Sequence, residues 1–195
     1  LFPCTTLFRS RVTIAERGGL ELIVSTLKSY GEDSPEISQL AFCAAGNCAM
    51  DTKENQERLF SLGAFELFKK ALVIHHDHAG VNEHAHGLIL AMCSGNPELS
   101  ERAFSAGVLD AILGAMEFHA DSANVQAKCI RALRALGGVD TKNQKYVAEK
   151  GGVQAIIRAL QSQPKSATVC EYSFGAMRGL SYHNSLVQCM IADQG

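Results

Sequence analysis

The sequence lacks tryptophan, contains only four prolines, and has few aromatic residues, which make up 7% of its 195 positions. It also has no apolar run near the roughly 18 residues that a membrane-spanning helix needs. The phosphate-binding patterns G-x-G-x-x-G and G-x-x-x-x-G-K-S/T are missing. We therefore expect neither a membrane-spanning helix nor a nucleotide-binding loop.

No charge of one sign dominates, because 18 basic and 20 acidic residues leave a net charge of −2. This balance gives the chain no general attraction to nucleic acid or to an acidic membrane. Apolar residues make up 47% of the chain and charged residues 19%, which favours a packed core over disorder. We expect a protein or peptide partner rather than nucleic acid, membrane or a small-molecule substrate.

The seven cysteines contain no C-x-x-C pair. Several of them fall at apolar positions of predicted helices, where a free cysteine behaves as a small apolar residue. We interpret them as reduced core residues of an intracellular protein, either cytoplasmic or nuclear.

No arrangement of a nucleophile beside a base can be read from the sequence. Cys43 and Cys48 are close in sequence, but five residues on a helix place them roughly 140° apart around its axis. We therefore expect no enzymatic activity and no cofactor.

Five of the seven histidines lie between His75 and His86, with Asp77 and Glu83 among them. Imidazole and carboxylate groups can bind zinc or nickel. However, H-E-x-x-H is absent, and His84 leaves a helix in a different direction from His86. We interpret the segment from His75 as a solvated polar loop and expect no metal site, with zinc binding as the alternative.

Glycines recur at a fixed spacing: Gly63, Gly107, Gly151 and Gly195 are each 44 residues apart, and Gly18 precedes Gly63 by 45. The sequence around each glycine is also similar. A repeat of this length is typical of a stacked helical solenoid, which commonly presents a surface for partners.

Apolar residues repeat at helical spacing within each unit. Helices of three to four turns are predicted to start near residues 37, 81, 125 and 169. A second helix is predicted after each glycine and a short one before it, for example over residues 99–106. We expect Pro97 and Pro164 to lie in loops.

The pattern resembles the armadillo repeat, in which an asparagine precedes the glycine by eight residues and a helix with paired alanines follows. The matching residues are Asn55 through Gly63, then Val81 through Ala85, and the segment 44–49. The resemblance covers nearly the whole chain. The HEAT repeat is the nearest alternative, but it has two helices and no glycine corner.

The resemblance implies an all-α fold, a right-handed α-solenoid with three helices in each repeat of about 44 residues. Residues 1–10 resemble translated sequencing-adapter sequence with one changed residue, and we interpret them as non-native. The predicted repeat boundaries are 11–53 (partial), 54–97, 98–141, 142–185 and 186–195 (the start of another repeat).

In armadillo proteins the third helices line a concave groove, and an asparagine on each often binds the backbone of an extended peptide. In this chain the corresponding positions hold Asn47, Ala91, Ala135 and Gly179. With one asparagine and no tryptophan, the peptide ladder of nuclear-import adaptors does not carry over. The small residues predict a shallow, open groove.

Other positions of the same groove are basic. Lys128 and Arg131 are one helical turn apart, so both can point into the groove. The candidate partner-binding residues are Asn47, His84, Lys128, Arg131, Arg134, Tyr172 and Arg178. Such a surface suits an acidic or phosphorylated segment, and ordinary solvated helix charges are the alternative interpretation.

We therefore expect a non-catalytic protein-interaction module that holds an extended partner segment in this groove. The second hypothesis is a structural spacer or scaffold within a larger intracellular protein. The missing asparagines favour the spacer hypothesis.

Overall fold

The computed structural model describes residues 3–138 and 140–193, with side chains from residue 9 onward. All regular structure in these ranges is helical. Gly195, the last glycine of the series, lies outside the described residues, as do residues 1 and 2 of the segment interpreted as non-native. The first helix starts at Pro3 and crosses the boundary assigned at residue 10.

The helices form a repeating unit of a short helix, a glycine corner, a second helix, a loop and a long third helix. Three complete units follow one another between residues 53 and 181. The bounds are α1 Pro3–Glu16, α2 Gly19–Tyr30, α3 Pro35–Ala49, α4 Lys53–Ser61, α5 Ala64–Ile74, α6 Ala79–Cys93, α7 Pro97–Ser105, α8 Val108–Phe118, α9 Ala123–Gly137, α10 Thr141–Glu149, α11 Gly152–Ser162, α12 Ala167–Ser181 and α13 Ser185–Ala192.

The predicted three-helix unit is thus confirmed, but the predicted start of one short helix, α7, is wrong. Pro97 was expected in a loop, but it is the first residue of α7. Proline suits that position because its missing N–H would have no partner in the first turn. Asn96 provides the cap, since its Oδ1 accepts from the Leu99 amide at 3.2 Å. Pro164 lies in the loop between α11 and α12, as expected.

Each glycine corner has a left-handed backbone, which is the conformation that glycine adopts without steric strain. The φ angles are 80° at Gly18, 92° at Gly63, 75° at Gly107 and 92° at Gly151. At Gly63 the amide donates to the Phe60 carbonyl at 2.9 Å, closing the short helix before the second helix begins. The prediction of sharp glycine turns is confirmed at these four positions.

The third helices share a capping residue that also recurs every 44 residues. The caps are Ser34, His78, Ser122 and Ser166, whose side chains accept from the amides of residues 37, 81, 125 and 169. Such a cap satisfies one of the amides that the first helical turn leaves without a partner. The helix starts predicted near these residues are therefore set by capping as well as by apolar spacing.

Polar side chains tie each third helix to the loop before it. The Ser38 hydroxyl donates to the Gly31 carbonyl, and Asn82 and Gln126 donate in the same way to the carbonyls of His75 and His119. These three contacts span seven residues each and recur at the repeat spacing. Because the donors and acceptors are buried, each bond also avoids the cost of an unpaired polar group.

A second set of hydrogen bonds joins neighbouring units through the same loops. The Nε2 atom of His75 donates to the Gly31 carbonyl at 2.6 Å, and that of His119 donates to the His76 carbonyl at 2.7 Å. Gln163 repeats the contact by donating to the Ala120 carbonyl at 3.0 Å. The expectation of a solvated histidine loop is therefore wrong for His75, which is 8% exposed, because its ring fills the space between two units.

The core runs along the third helices. The apolar positions expected at this spacing are buried, including Val81, Ile89 and Met92 on α6 and their counterparts on α9. Alanine and cysteine fill the narrowest positions, such as Ala85 and Cys129. In the described ranges no helix has both the length and the apolar character needed to cross a membrane.

Candidate partner-binding face

The long helices α3, α6, α9 and α12 pack side by side in chain order. All seven candidate residues lie on these four helices; His84, Lys128 and Tyr172 share one repeat position, and Arg134 and Arg178 share another. We call the surface that they share the third-helix face. Asn47 is on α3, His84 on α6, Lys128, Arg131 and Arg134 on α9, and Tyr172 and Arg178 on α12.

The asparagine position differs between the first unit and the others. Asn47 is exposed, and its Nδ2 atom contacts Cys43 Sγ at 3.8 Å. Ala91 and Ala135, at the same position, are only 0% and 8% exposed. The small side chains at these two positions thus let adjacent third helices approach closely, and they do not open the groove floor as expected from the sequence.

Gly179, the fourth residue at this position, is covered by a neighbouring side chain. A Cβ atom placed on Gly179 would lie 3.6 Å from Arg134 Cγ, and one on Gly175 would lie 3.4 Å from Arg134 Nη1. The stem of Arg134 therefore extends from α9 across the surface of α12. Glycine leaves the room that this crossing needs.

The basic residues of the third-helix face differ in their partners. Lys128 forms an ion pair with Glu83 of α6, with 3.8 Å between Nζ and Oε1. Arg131 lies over the ring of Tyr172, with 5.0 Å between its guanidinium carbon and the ring centroid. The structure thus brings Lys128, Arg131, Arg134 and Tyr172 together, whereas Asn47 lies two third helices away.

On the third-helix face, Arg134 and Arg178 are exposed and have no acidic partner in the described ranges. Each lies in the last turn of its helix, where a cation interacts favourably with the helix dipole. Arg134 also lines a depression of about 260 Å³ where α6 ends against α9. Its lining residues are Leu90, Ser94, Gly95, Arg131, Arg134 and Ala135.

The histidines between residues 75 and 86 are dispersed. His86 is fully buried against the ring of Phe68, and its Nδ1 atom donates to the Asn82 carbonyl at 2.6 Å. Burial lowers the pKa of His86 to about 4. His78 caps α6 through Nδ1. Across the described ranges, no three His, Cys, Asp or Glu side chains are placed to hold a metal ion.

The described cysteines have free thiols, and three are buried as expected: Cys48, Cys93 and Cys129. Burial raises the pKa of the Cys93 thiol to about 12 and also raises those of Cys48 and Cys129. Thiols of this kind are poor nucleophiles because the thiolate is the reactive form. Cys43 and Cys170 are half-buried, and Cys189 is exposed, so these three depart from the core interpretation.

The chain is an all-helical protein built from stacked three-helix units. No protein-family model matches it, and no curated protein matches its sequence. Three crystal structures of engineered proteins from the Northeast Structural Genomics Consortium have a similar fold, with TM-scores of 0.78, 0.76 and 0.75. Their sequence identities are 23%, 22% and 22%, over 88%, 89% and 89% of this chain and 67%, 67% and 40% of theirs. Similarity at this identity concerns the fold alone.

Proposed function

We propose that the chain is a right-handed α-solenoid of the armadillo type that binds an extended protein segment along its third-helix face. The observation that supports the binding role is the set of polar side chains His84, Lys128 and Tyr172, which share one repeat position on the adjacent helices α6, α9 and α12. Lys128, Arg131 and Tyr172 lie together on this face and outside the core. The binding is non-catalytic, and the protein acts in the cytoplasm or nucleus, in keeping with its free thiols.

The armadillo assignment rests on the glycine corners and on the three-helix unit that they divide. A left-handed glycine separates the short helix from the second helix at Gly18, Gly63, Gly107 and Gly151. In such repeat proteins each unit contacts mainly its neighbours, so side chains at one position form a continuous surface along the stack. An extended segment can then contact several units at once.

Charge reversal on the third-helix face tests this function. The chain is immobilised, captured proteins are identified from a lysate, and each captured protein is then titrated in purified form. We expect the double variant Lys128→Glu and Arg131→Glu to weaken binding of the true partner at least tenfold, because two cations that attract an acidic segment become two anions that repel it.

A matched control changes net charge equally away from this face. Lys53→Glu with Lys165→Glu alters two exposed residues at the start of α4 and in the loop after α11. Binding should stay within twofold of the wild type, and thermal unfolding by circular dichroism should show both variants folded. Equal loss in both double variants, or no loss in either, contradicts the proposal.

A structural spacer remains the second candidate, and burial of Ala91 and Ala135 favours it because those positions cannot bind a peptide backbone through a side chain. Removing the 44 residues of one unit, 98–141, tests it in the chain's natural context. A spacer responds to the changed length alone, so replacement with another helical unit of equal length restores function. A binding face is not restored by that replacement.

A further inference from the structure

Resting on this proposed function, we infer that the partner segment carries a phosphorylated serine or threonine whose phosphate binds Arg131 and Arg134. The site is the depression between the end of α6 and the C-terminal half of α9.

The ion pairs separate the cations into two groups. Lys128 is neutralised by Glu83, so it contributes little net charge for a ligand. Arg131 and Arg134 form no ion pair in the described ranges, and Arg131 contacts the neutral ring of Tyr172. The excess positive charge is therefore carried by the arginines, and Lys128, which the sequence singled out, is not part of it.

The two arginines are three residues apart on α9 and therefore lie on one side of the helix. Both side chains line the depression, and their guanidinium groups lie on its α12 side, Arg131 over the Tyr172 ring and Arg134 Nη1 beside Gly175, where one anion can contact both. Each side chain is also held in place, Arg131 by the ring of Tyr172 and Arg134 by its stem beside Gly179. Side chains that are already ordered lose less entropy on binding.

The rest of the lining leaves space for a peptide backbone. Gly95 has a φ of 68°, and a Cβ atom placed on it would meet nothing within 4 Å. Its amide donates no hydrogen bond in the described ranges, so it remains available to an acceptor. Leu90 and Ala135 provide apolar contacts beside the arginines.

The charge of the site favours phosphate over carboxylate. A phosphorylated side chain carries −1.5 to −2 charges near neutral pH, which matches two guanidinium groups better than one carboxylate does. Guanidinium also binds phosphate oxygens through two parallel hydrogen bonds. Nucleic acid is disfavoured because the net charge is −2 and Arg131 covers one face of the Tyr172 ring, which is then not free to stack on a base.

Degenerate peptide libraries provide a test without knowledge of the partner. Fluorescence anisotropy is measured for 15-residue libraries that share a central phosphoserine, glutamate or unmodified serine. We expect the phosphoserine library to bind at least tenfold more tightly than the serine library, with glutamate between them. Oligothymidine of 15 nucleotides is titrated in parallel.

Variants then locate the binding site. Arg131→Gln with Arg134→Gln should remove the preference for phosphoserine, whereas Lys53→Gln with Lys165→Gln, which also removes two charges but away from this face, should leave it within twofold. Arg134→Lys keeps the charge and the stem but loses the paired donors, so we expect an intermediate loss. Thermal unfolding by circular dichroism confirms that each variant is folded.

The outcomes distinguish this inference from the proposed function. Equal binding of the phosphoserine and serine libraries, with loss in the double charge-reversal variant, leaves the binding face intact and overturns the phosphate inference. A loss in the Lys53→Gln and Lys165→Gln variant as large as that in the double arginine variant also overturns it. Tighter binding of oligothymidine than of phosphoserine assigns the site to nucleic acid. Failure of every library to bind contradicts both proposals.

Discussion

At the scale of single residues, His86 shows how one position can decide pH dependence. In the other units this position holds Phe42, Ile130 and Phe174, so a histidine replaces an apolar core residue. Its Nδ1 atom donates to the Asn82 carbonyl, and its Nε2 atom has no hydrogen-bond partner in the described ranges. A proton on Nε2 would place an unpaired charge in the core.

We predict that the free energy of unfolding falls as pH drops from about 6.5 to about 4. The pKa of folded His86 is about 4 and its ordinary value is 6.5, so only the unfolded chain binds a proton in this window. The stabilising contribution is complete above pH 6.5, and its loss amounts to about 3 kcal/mol at the lower limit. Urea unfolding at half-unit pH steps measures it.

The matched control is His86→Leu, which keeps an apolar side chain at the position. Its free energy of unfolding should depend less steeply on pH between 4 and 6.5, so the difference between the two proteins isolates His86. Parallel curves for the wild type and His86→Leu would show that another group carries the dependence.

The residues that the sequence could not assign are those whose partners are distant along the chain. Burial of His75 depends on the Gly31 carbonyl, 44 residues away, and the histidine-rich surroundings instead indicated a solvated loop. The repeat itself contained a signal for this contact, because one repeat position is shared by Gly31, His75, His119 and Gln163. The repeat spacing could thus have predicted a contact between loops, but not its partner atoms.

At the scale of elements, the third helices were the most predictable part of the chain. Their apolar spacing and the fixed 44-residue period placed their starts, and the structure adds the caps that fix the first residue. Exposure on these helices was less predictable. Ala91 is buried although Asn47, at the same repeat position, is exposed, so the packing of the helices and not the position in the repeat decides exposure. The pairing of Lys128 with Glu83 likewise depends on how two units pack.

We predict that Ser122→Ala lowers the free energy of unfolding by about 1 kcal/mol, the usual effect of losing an N-terminal cap. The Ser122 hydroxyl accepts from the Val125 amide at 3.4 Å, and alanine leaves that amide without its partner. Urea unfolding followed by circular dichroism measures the change.

Ser105→Ala is a suitable control for this variant. Ser105 is exposed at the end of α7, and its hydroxyl donates to the Glu101 carbonyl, which is already within a helix. Its effect should stay within about 0.5 kcal/mol, as for most surface substitutions. Equal destabilisation by both variants would contradict a capping role for Ser122.

At the scale of the whole molecule, stability comes from contacts between successive units. Ion pairs link Arg58 of α4 to Glu21 of α2 and Arg102 of α7 to Glu57 of α4, and the loop residues His75 and His119 also link successive units. The exposed ion pairs each contribute little, so the buried third-helix positions carry most of the coupling. A position left uncovered at one end of the stack should therefore affect association.

Phe174 is such a position, and we predict that it drives reversible self-association of the 195-residue chain. Its side chain is 63% exposed, whereas Phe42, His86 and Ile130 at the same position are at most 1% exposed. Each of those three lies on a helix against which the third helix of the following unit packs, and no following third helix packs against α12 in the described ranges. Burying an exposed phenylalanine contributes about 2 kcal/mol, so removing it should weaken association about thirtyfold.

Sedimentation velocity across a hundredfold range of concentration should show the wild-type chain shifting to larger species and Phe174→Ser remaining monomeric. Phe118→Ser is the control, because Phe118 is similarly exposed at 58% but lies at the end of α8, away from the uncovered face of α12. Its association should match the wild type. A monomeric wild-type chain, or equal loss of association in both variants, would show that the uncovered position on α12 does not drive contact between chains.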